Sequence, residues 1–165
     1  MKVKHWISLS LASLIFVGCV GTMAKNQTTE PELPAKPELA TQAKTPASTI
    51  VKSGSFQSGE HPTQGKAQIV TQNGKSFLEL DQGFKTSSLG PDLVVVLHRS
   101  NNVLGSAKPP SYPLKEGEYV VLAPLQKFNG AQSYAIPANV NLKNFQSTVI
   151  WCRKFNATFG TAPLS

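Results

Sequence analysis

An antiparallel β-sandwich, or alternatively a β-barrel, of about eight short strands is predicted for this chain by three observations. Helical periodicity is missing throughout. Twelve Pro and twelve Gly among 165 residues recur too often for a long helix to survive. Short β-rich runs alternate instead with turn signals.

The first segment lies outside any fold. Lys2 and Lys4 form a basic start, Ile7 to Val17 is an apolar run diluted by Ser8, Ser10 and Ser13, and small Gly18 precedes Cys19. This is the layout of a signal peptide over residues 1–18, and the run is short for a membrane span. Phe16-Val17-Gly18-Cys19 resembles a bacterial lipobox, with Phe where Leu is usual. Cys19 is therefore the expected lipidation site, with ordinary cleavage after Thr22-Met23-Ala24 as the rival. The expected location is the bacterial cell envelope, lipid-anchored and facing the periplasm or exterior.

Residues 19–48 read as the lipidated N-terminus followed by a disordered linker. Pro31, Pro34, Pro37 and Pro46 are spread among Thr, Glu, Lys, Ala and Gln. Too little apolar bulk is present to offset the entropy of ordering. The half-repeat Pro31-Glu32-Leu33 and Pro37-Glu38-Leu39 suits a semi-stiff spacer.

Residues 49–165 fit one domain with a real core. Asn73-Gly74 is a two-residue hairpin turn, since both positions tolerate positive φ. Pairing Gln72 with Lys75 sets Ile69 opposite Leu78 and Ala67 opposite Leu80, with Thr71 and Ser76 on the same face. Asp92 to Arg99 is β-branched behind Gly90-Pro91. Leu93, Val95 and Leu97 share one face; Val94, Val96 and His98 share the other. Apolar residues on both faces predict a central strand. Asn101 to Pro113 reads as a long surface loop. Glu118 to Leu122 and Ser133 to Ile136 are shorter strands, ended by Pro124 and Pro137. Thr148 to Phe159 is a long candidate, bent or split near Asn156. Alternation puts Val149, Trp151, Arg153, Phe155, Ala157 and Phe159 on one face, and Ile150, Cys152 and Lys154 on the other.

Charge narrows the functional classes. The whole chain carries +7. Removing Lys2 and Lys4 leaves 14 basic residues against 9 acidic. The basic residues are scattered, without a stripe interleaved with aromatics, and export argues against a nucleic-acid partner. No Gly-x-Ser-x-Gly elbow, phosphate loop, dinucleotide fingerprint or paired-His zinc motif is present. Glu79 and Asp81 are explained by a solvated edge as readily as by a catalytic pair.

The residues that carry a family resemblance lie along nearly the whole domain. Gly90-Pro91-Asp92-Leu93-Val94-Val95-Val96-Leu97 looks like the Gly-Pro-Asp-Leu strand of the DM-thirteen (DM13) domain. Tyr134-Ala135-Ile136-Pro137, Val149-Ile150-Trp151-Cys152 and Phe159-Gly160-Thr161-Ala162-Pro163-Leu164 resemble three further signatures. Gly54-Ser55-Phe56, and His61 followed by Gly65, fit its opening. The likeness covers about residues 53–164. It implies an all-β domain that occurs beside DOMON domains in animals and alone or lipid-anchored in bacteria. It also implies electron transfer through the cysteine, as a bare thiol or as ligand to a prosthetic group such as haem.

Cys152 is then the main functional candidate, and three readings stay open. It can fill core volume as a small apolar group. It can be a redox thiol, activated by Lys154 on the same face, with Arg153 pointing away. It can be a ligand, assisted by His61, His98 or Asp92 brought together by the fold. Once Cys19 is modified or removed, no intramolecular dithiol is available. A c-type haem is excluded because Cys-x-x-Cys-His is absent, and a four-cysteine iron–sulfur cluster by the count. Blue copper is disfavoured, since no His follows Cys152 and Met1 and Met23 lie outside the domain. Non-covalent haem on a Cys152 thiolate, or no cofactor, remains; no metal site is predicted. The expected partners are a membrane, through Cys19, and a redox protein.

The other candidates have plainer roles. His61 in Glu60-His61-Pro62 reads as a solvated loop residue, and His98 as a strand-end histidine. Asp92 is expected to bond turn amides. Trp151 reads as a core aromatic, with an electron conduit as its second role.

Overall fold

The computed structural model describes residues 48–165, and the expected signal peptide, Cys19 and residues 20–47 of the expected spacer fall outside them. Among these described residues nine strands build two antiparallel sheets. They are β1 Ser48–Ser55, β2 Gln57–Ser58, β3 Lys66–Gln72, β4 Lys75–Leu80, β5 Leu93–His98, β6 Tyr119–Pro124, β7 Gln132–Ile136, β8 Ser147–Cys152 and β9 Ala157–Pro163. The first sheet has the order β1-β3-β4-β7 and the second β2-β9-β8-β5-β6. The sheets stay separate, so the sandwich holds and the barrel does not. Ser48, assigned to the linker by composition, already opens β1.

The β3–β4 hairpin has the register expected from Asn73-Gly74: Gln72 faces Lys75, Ile69 faces Leu78 and Ala67 faces Leu80. Asn73 and Gly74 have φ of 51° and 73°, as the tight turn requires. β5 is a central strand between β6 and β8. Leu93, Val95 and Leu97 face the inter-sheet core beside Ile69, Leu78, Leu80, Ile150 and Cys152. Val94 and Val96 face outward, into a second apolar cluster with Val103, Leu114, Val149 and Trp151. The segment from Ser100 to Glu118 covers that cluster. It holds one helical turn, α1 Val103–Ser106, and buries Val103 and Leu114. A second apolar face thus exists because a loop, rather than a third sheet, covers it.

The split expected near Asn156 is present: β8 and β9 are joined by the turn Arg153–Asn156, where Asn156 has a φ of 46°, but the faces assigned across it need correction. The alternation therefore resets: Ala157 and Phe159 join Cys152 in the inter-sheet core, while Val149 and Trp151 lie outside it. Arg153 and Phe155 belong to the exposed turn and to neither face. A bulge between Ile150 and Trp151 accommodates this reset. Trp151 is buried, in the outer cluster instead of the main core. Pro124 is the last residue of β6 and does not lie beyond it, which is permitted because β6 is an edge strand.

Candidate functional site

Cys152 ends β8, with Leu93 across from it on one side and Ala157 on the other. Its exposure is 0 % and it is a free thiol. Every strand neighbour is apolar, so the residue packs as a small hydrophobe. Lys154 lies beyond the end of β8 in the exposed turn, where its ammonium sits 5.8 Å from the Phe155 ring centroid. It does not share a strand face with the thiol, which corrects that expectation.

Among the described residues the Asp92 carboxylate holds no turn amides, which corrects that expectation. It accepts two charge-assisted hydrogen bonds from Arg153, Nε to Oδ2 at 2.9 Å and Nη2 to Oδ1 at 2.8 Å. The Arg153 N–H also donates to the Asp92 carbonyl. The guanidinium holds the Asp92 carboxyl below its usual range, a little against the effect of burial. This fork ties the start of β5 to the β8–β9 turn, immediately above Cys152.

His61 is less solvated than its polar neighbours suggest. Its ring packs on Phe159 with centroids 4.1 Å apart and planes at 52°. Gly59 N–H donates to the Phe159 carbonyl and Glu60 N–H to that of Thr158, which docks the loop on β9. Phe159 lies in the same core cluster as Cys152.

His98 is elsewhere. It faces Ser147, whereas Leu93 faces Cys152, so His98 and Cys152 sit at opposite ends of the β5–β8 pair. At about 3.3 Å per residue this separates them by roughly 16 Å along the strands. His98 is buried, its Nδ1 accepts from Ser100 N–H, and its Nε2 lies 3.7 Å from Glu118. Burial lowers its pKa below 6.5, against a raising effect of Glu118. It is a neutral structural histidine. The fold thus brings His61 and Asp92 to the Cys152 pole and excludes His98 from it.

These residues do not fit a haem. Cys152 has no exposed surface, and the cross-strand Leu93 and Ala157 occupy its flanks. A surface concavity of ≈ 490 Å³ over Phe77, Ile136, Val140 and Leu142 opens at the opposite pole, beside Gly74. Among the described residues no three of His, Cys, Asp and Glu converge as a metal site.

Two residues matter more than the sequence reading allowed. Trp151, next to Cys152 in the chain, packs against the partly exposed Tyr119 with centroids 4.9 Å apart and planes at 55°. Asn156 organises that region. Its Oδ1 accepts from Trp151 Nε1–H at 3.0 Å and Leu114 N–H at 2.8 Å, while its Nδ2–H donates to the Leu114 carbonyl. The available signal was an Asn inside an apparent strand, a residue type that tolerates positive φ.

The buried thiol thus closes β8, and the Gly90-Pro91-Asp92 segment leads into β5 beside it. Residues 55–164 match the family described as Electron transfer DM13. The chain belongs to the DM13 family. No curated protein matches the chain. No solved structure matches it either. In this DM13 domain, the family's electron-transfer description meets a cysteine sealed inside the sandwich, next in the chain to Trp151.

Proposed function

We propose that this DM13 protein is an envelope-anchored electron-transfer module, held to a membrane through a lipid on Cys19, with Cys152 as a buried one-electron group. The observation that carries this reading is the sequence of oxidisable side chains from solvent inward. Tyr119 is partly exposed, Trp151 packs on it, and Cys152 follows Trp151 within the core. A one-electron oxidant at the surface would take an electron from Tyr119, whose phenolic proton passes to solvent. Trp151 refills Tyr119, which takes a proton back from solvent, and Cys152 in turn supplies Trp151, its S–H proton leaving to water as the β8–β9 turn opens. A one-electron reductant restores the set in the reverse order. Burial suits this role, since a sealed thiol is protected from disulfide exchange and over-oxidation.

A second reading is favoured by the same burial. Cys152 can be an inert packing residue, and the domain a non-catalytic binding or adhesion module. Flash photo-oxidation of the protein with a ruthenium polypyridyl and a sacrificial acceptor separates the two. The redox reading expects an aromatic radical whose lifetime lengthens in Cys152→Ala and whose yield falls in Tyr119→Phe. Identical radical decay with and without Cys152 would favour the inert reading. Native-host protein should also be examined for mass: a lipidated N-terminal Cys19 is expected, and an unmodified start at Lys25 would remove the anchor.

A further inference from the structure

The pole of the sandwich that holds Cys152 exposes three large apolar side chains on three different loops. Leu89 is 73 % exposed, Phe155 60 % and Phe128 44 %. Strand order puts the loops together. Leu89 precedes β5, Phe155 lies in the β8–β9 turn, and Phe128 connects β6 to β7. The start of β5 pairs with the ends of β8 and β6, so all three loops emerge at one end. Two contacts fasten them to each other: Thr86 N–H donates to the Phe128 carbonyl, and Arg153 grips Asp92.

Each of these loops also carries a lysine. Lys127 precedes Phe128, Lys154 precedes Phe155, and Lys85 leads toward Leu89. None of the three forms an ion pair among the described residues, where the ion pairs are His98–Glu118 and Arg153–Asp92. The carboxylates at this pole are partly occupied. Asp92 is bound by Arg153, and Asp81 accepts from the backbone N–H of Lys66. Glu60 on the neighbouring loop and Glu79 beside Asp81 are the others, so Lys85, Lys127, Lys154, Arg153 and Lys66 exceed the carboxylates by one charge. The pole is therefore apolar at its tips and net positive around them.

We infer that this pole is a docking surface for an anionic lipid bilayer, with Leu89, Phe128 and Phe155 entering the interface and Lys85, Lys127 and Lys154 meeting acidic headgroups. Aromatic rings lower their free energy at the boundary between headgroups and acyl chains. Lysine stems lie along apolar surface while their ammonium groups stay among the phosphates. A protein partner would need a matching apolar patch, whereas a bilayer supplies apolar depth and negative charge together. Ser48, where the described chain begins, faces Gln72 at the opposite pole, so β1 does not cover the tips. The inference is independent of the redox role of Cys152.

Depth-dependent fluorescence tests it on the full-length chain carrying Cys19→Ser, which prevents lipid attachment, and Trp6→Phe, which leaves buried Trp151 as background. Phe155→Trp reports the proposed tip and Lys75→Trp reports the other pole. Vesicles contain brominated phosphatidylcholine with about a third phosphatidylserine. The Phe155→Trp chain is expected to be quenched and the Lys75→Trp chain is not. Quenching should fall several-fold on vesicles of phosphatidylcholine alone. Adding Leu89→Ser and Phe128→Ser should weaken partitioning by about tenfold or more. These positions are exposed, and an unchanged far-UV spectrum and melting temperature verify that each variant is folded. Equal quenching at both poles, no quenching at Phe155→Trp, or quenching indifferent to phosphatidylserine would each overturn the inference; the second result would leave a protein as the occupant.

Discussion

Thiol labelling of Cys152 tests the central structural claim most directly. The side chain has 0 % exposure and is enclosed by β5, β9 and the facing sheet. A reagent such as a water-soluble aromatic disulfide can reach it only after the domain opens. Stability of about 0.05 kcal/mol per residue or more gives a domain of this size roughly 6 kcal/mol. If labelling requires global opening, the open fraction is near 10⁻⁴, and labelling should run about 10⁴-fold slower than in the unfolded chain. Sub-global opening of the β8–β9 turn would reduce that factor, because such segments open at lower free energy than the core. The assay is a labelling time course on the Cys19→Ser chain, with and without denaturant. Slowing of less than about tenfold would mean that the thiol meets solvent, and the argument from burial would fail.

Other expectations follow from individual contacts. Haem added to the folded protein should give no thiolate-ligated Soret band that disappears in Cys152→Ala; such a band would overturn the poor fit deduced above. A Cβ on Gly90 would come 2.5 Å from Leu93 Cδ2 and 2.9 Å from Phe159 Cζ, whereas one on Gly83 would meet nothing nearer than 3.5 Å. Gly90→Ala should therefore cost about 1–3 kcal/mol in denaturant titration, and Gly83→Ala about 0.5 kcal/mol or less. His98 has its folded pKa below the unfolded 6.5, so the unfolded chain binds more protons. Its contribution to stability is complete above 6.5 and is lost as pH falls through the folded pKa. Glu118→Gln should lower that pKa further, measured by NMR, and His98→Phe should flatten stability against pH in that window. Arg153→Gln should let the Asp92 carboxyl titrate nearer its ordinary 3.8, because its main hydrogen-bond donor is gone.

The parts legible from sequence were those governed by local chemistry. Positive φ at Asn73 and Gly74 dictates a tight hairpin, and period-two alternation then assigns its faces. Apolar residues on both faces of Leu93–His98 identify a central strand because both sides must be covered. A lone domain thiol and the family resemblance were also readable without a fold, and the resemblance became membership over residues 55–164.

What alternation could not carry was continuity through Arg153–Asn156. A tight turn there reverses the chain, so the parity of the following residues depends on the turn and bulge instead of on counting. That one feature decides that Phe159 lies inside with Cys152 and that Phe155 lies outside. Ion-pair partners and ring contacts were equally hidden, since Asp92–Arg153 and His61–Phe159 join residues far apart in the chain. Sequence by itself determined an all-β domain of the DM13 type with one thiol to explain. Only the tertiary structure decided that the thiol is sealed, that His98 is remote from it, and that three apolar tips share its pole. Burial and proximity are sums over long-range packing, which no local pattern encodes.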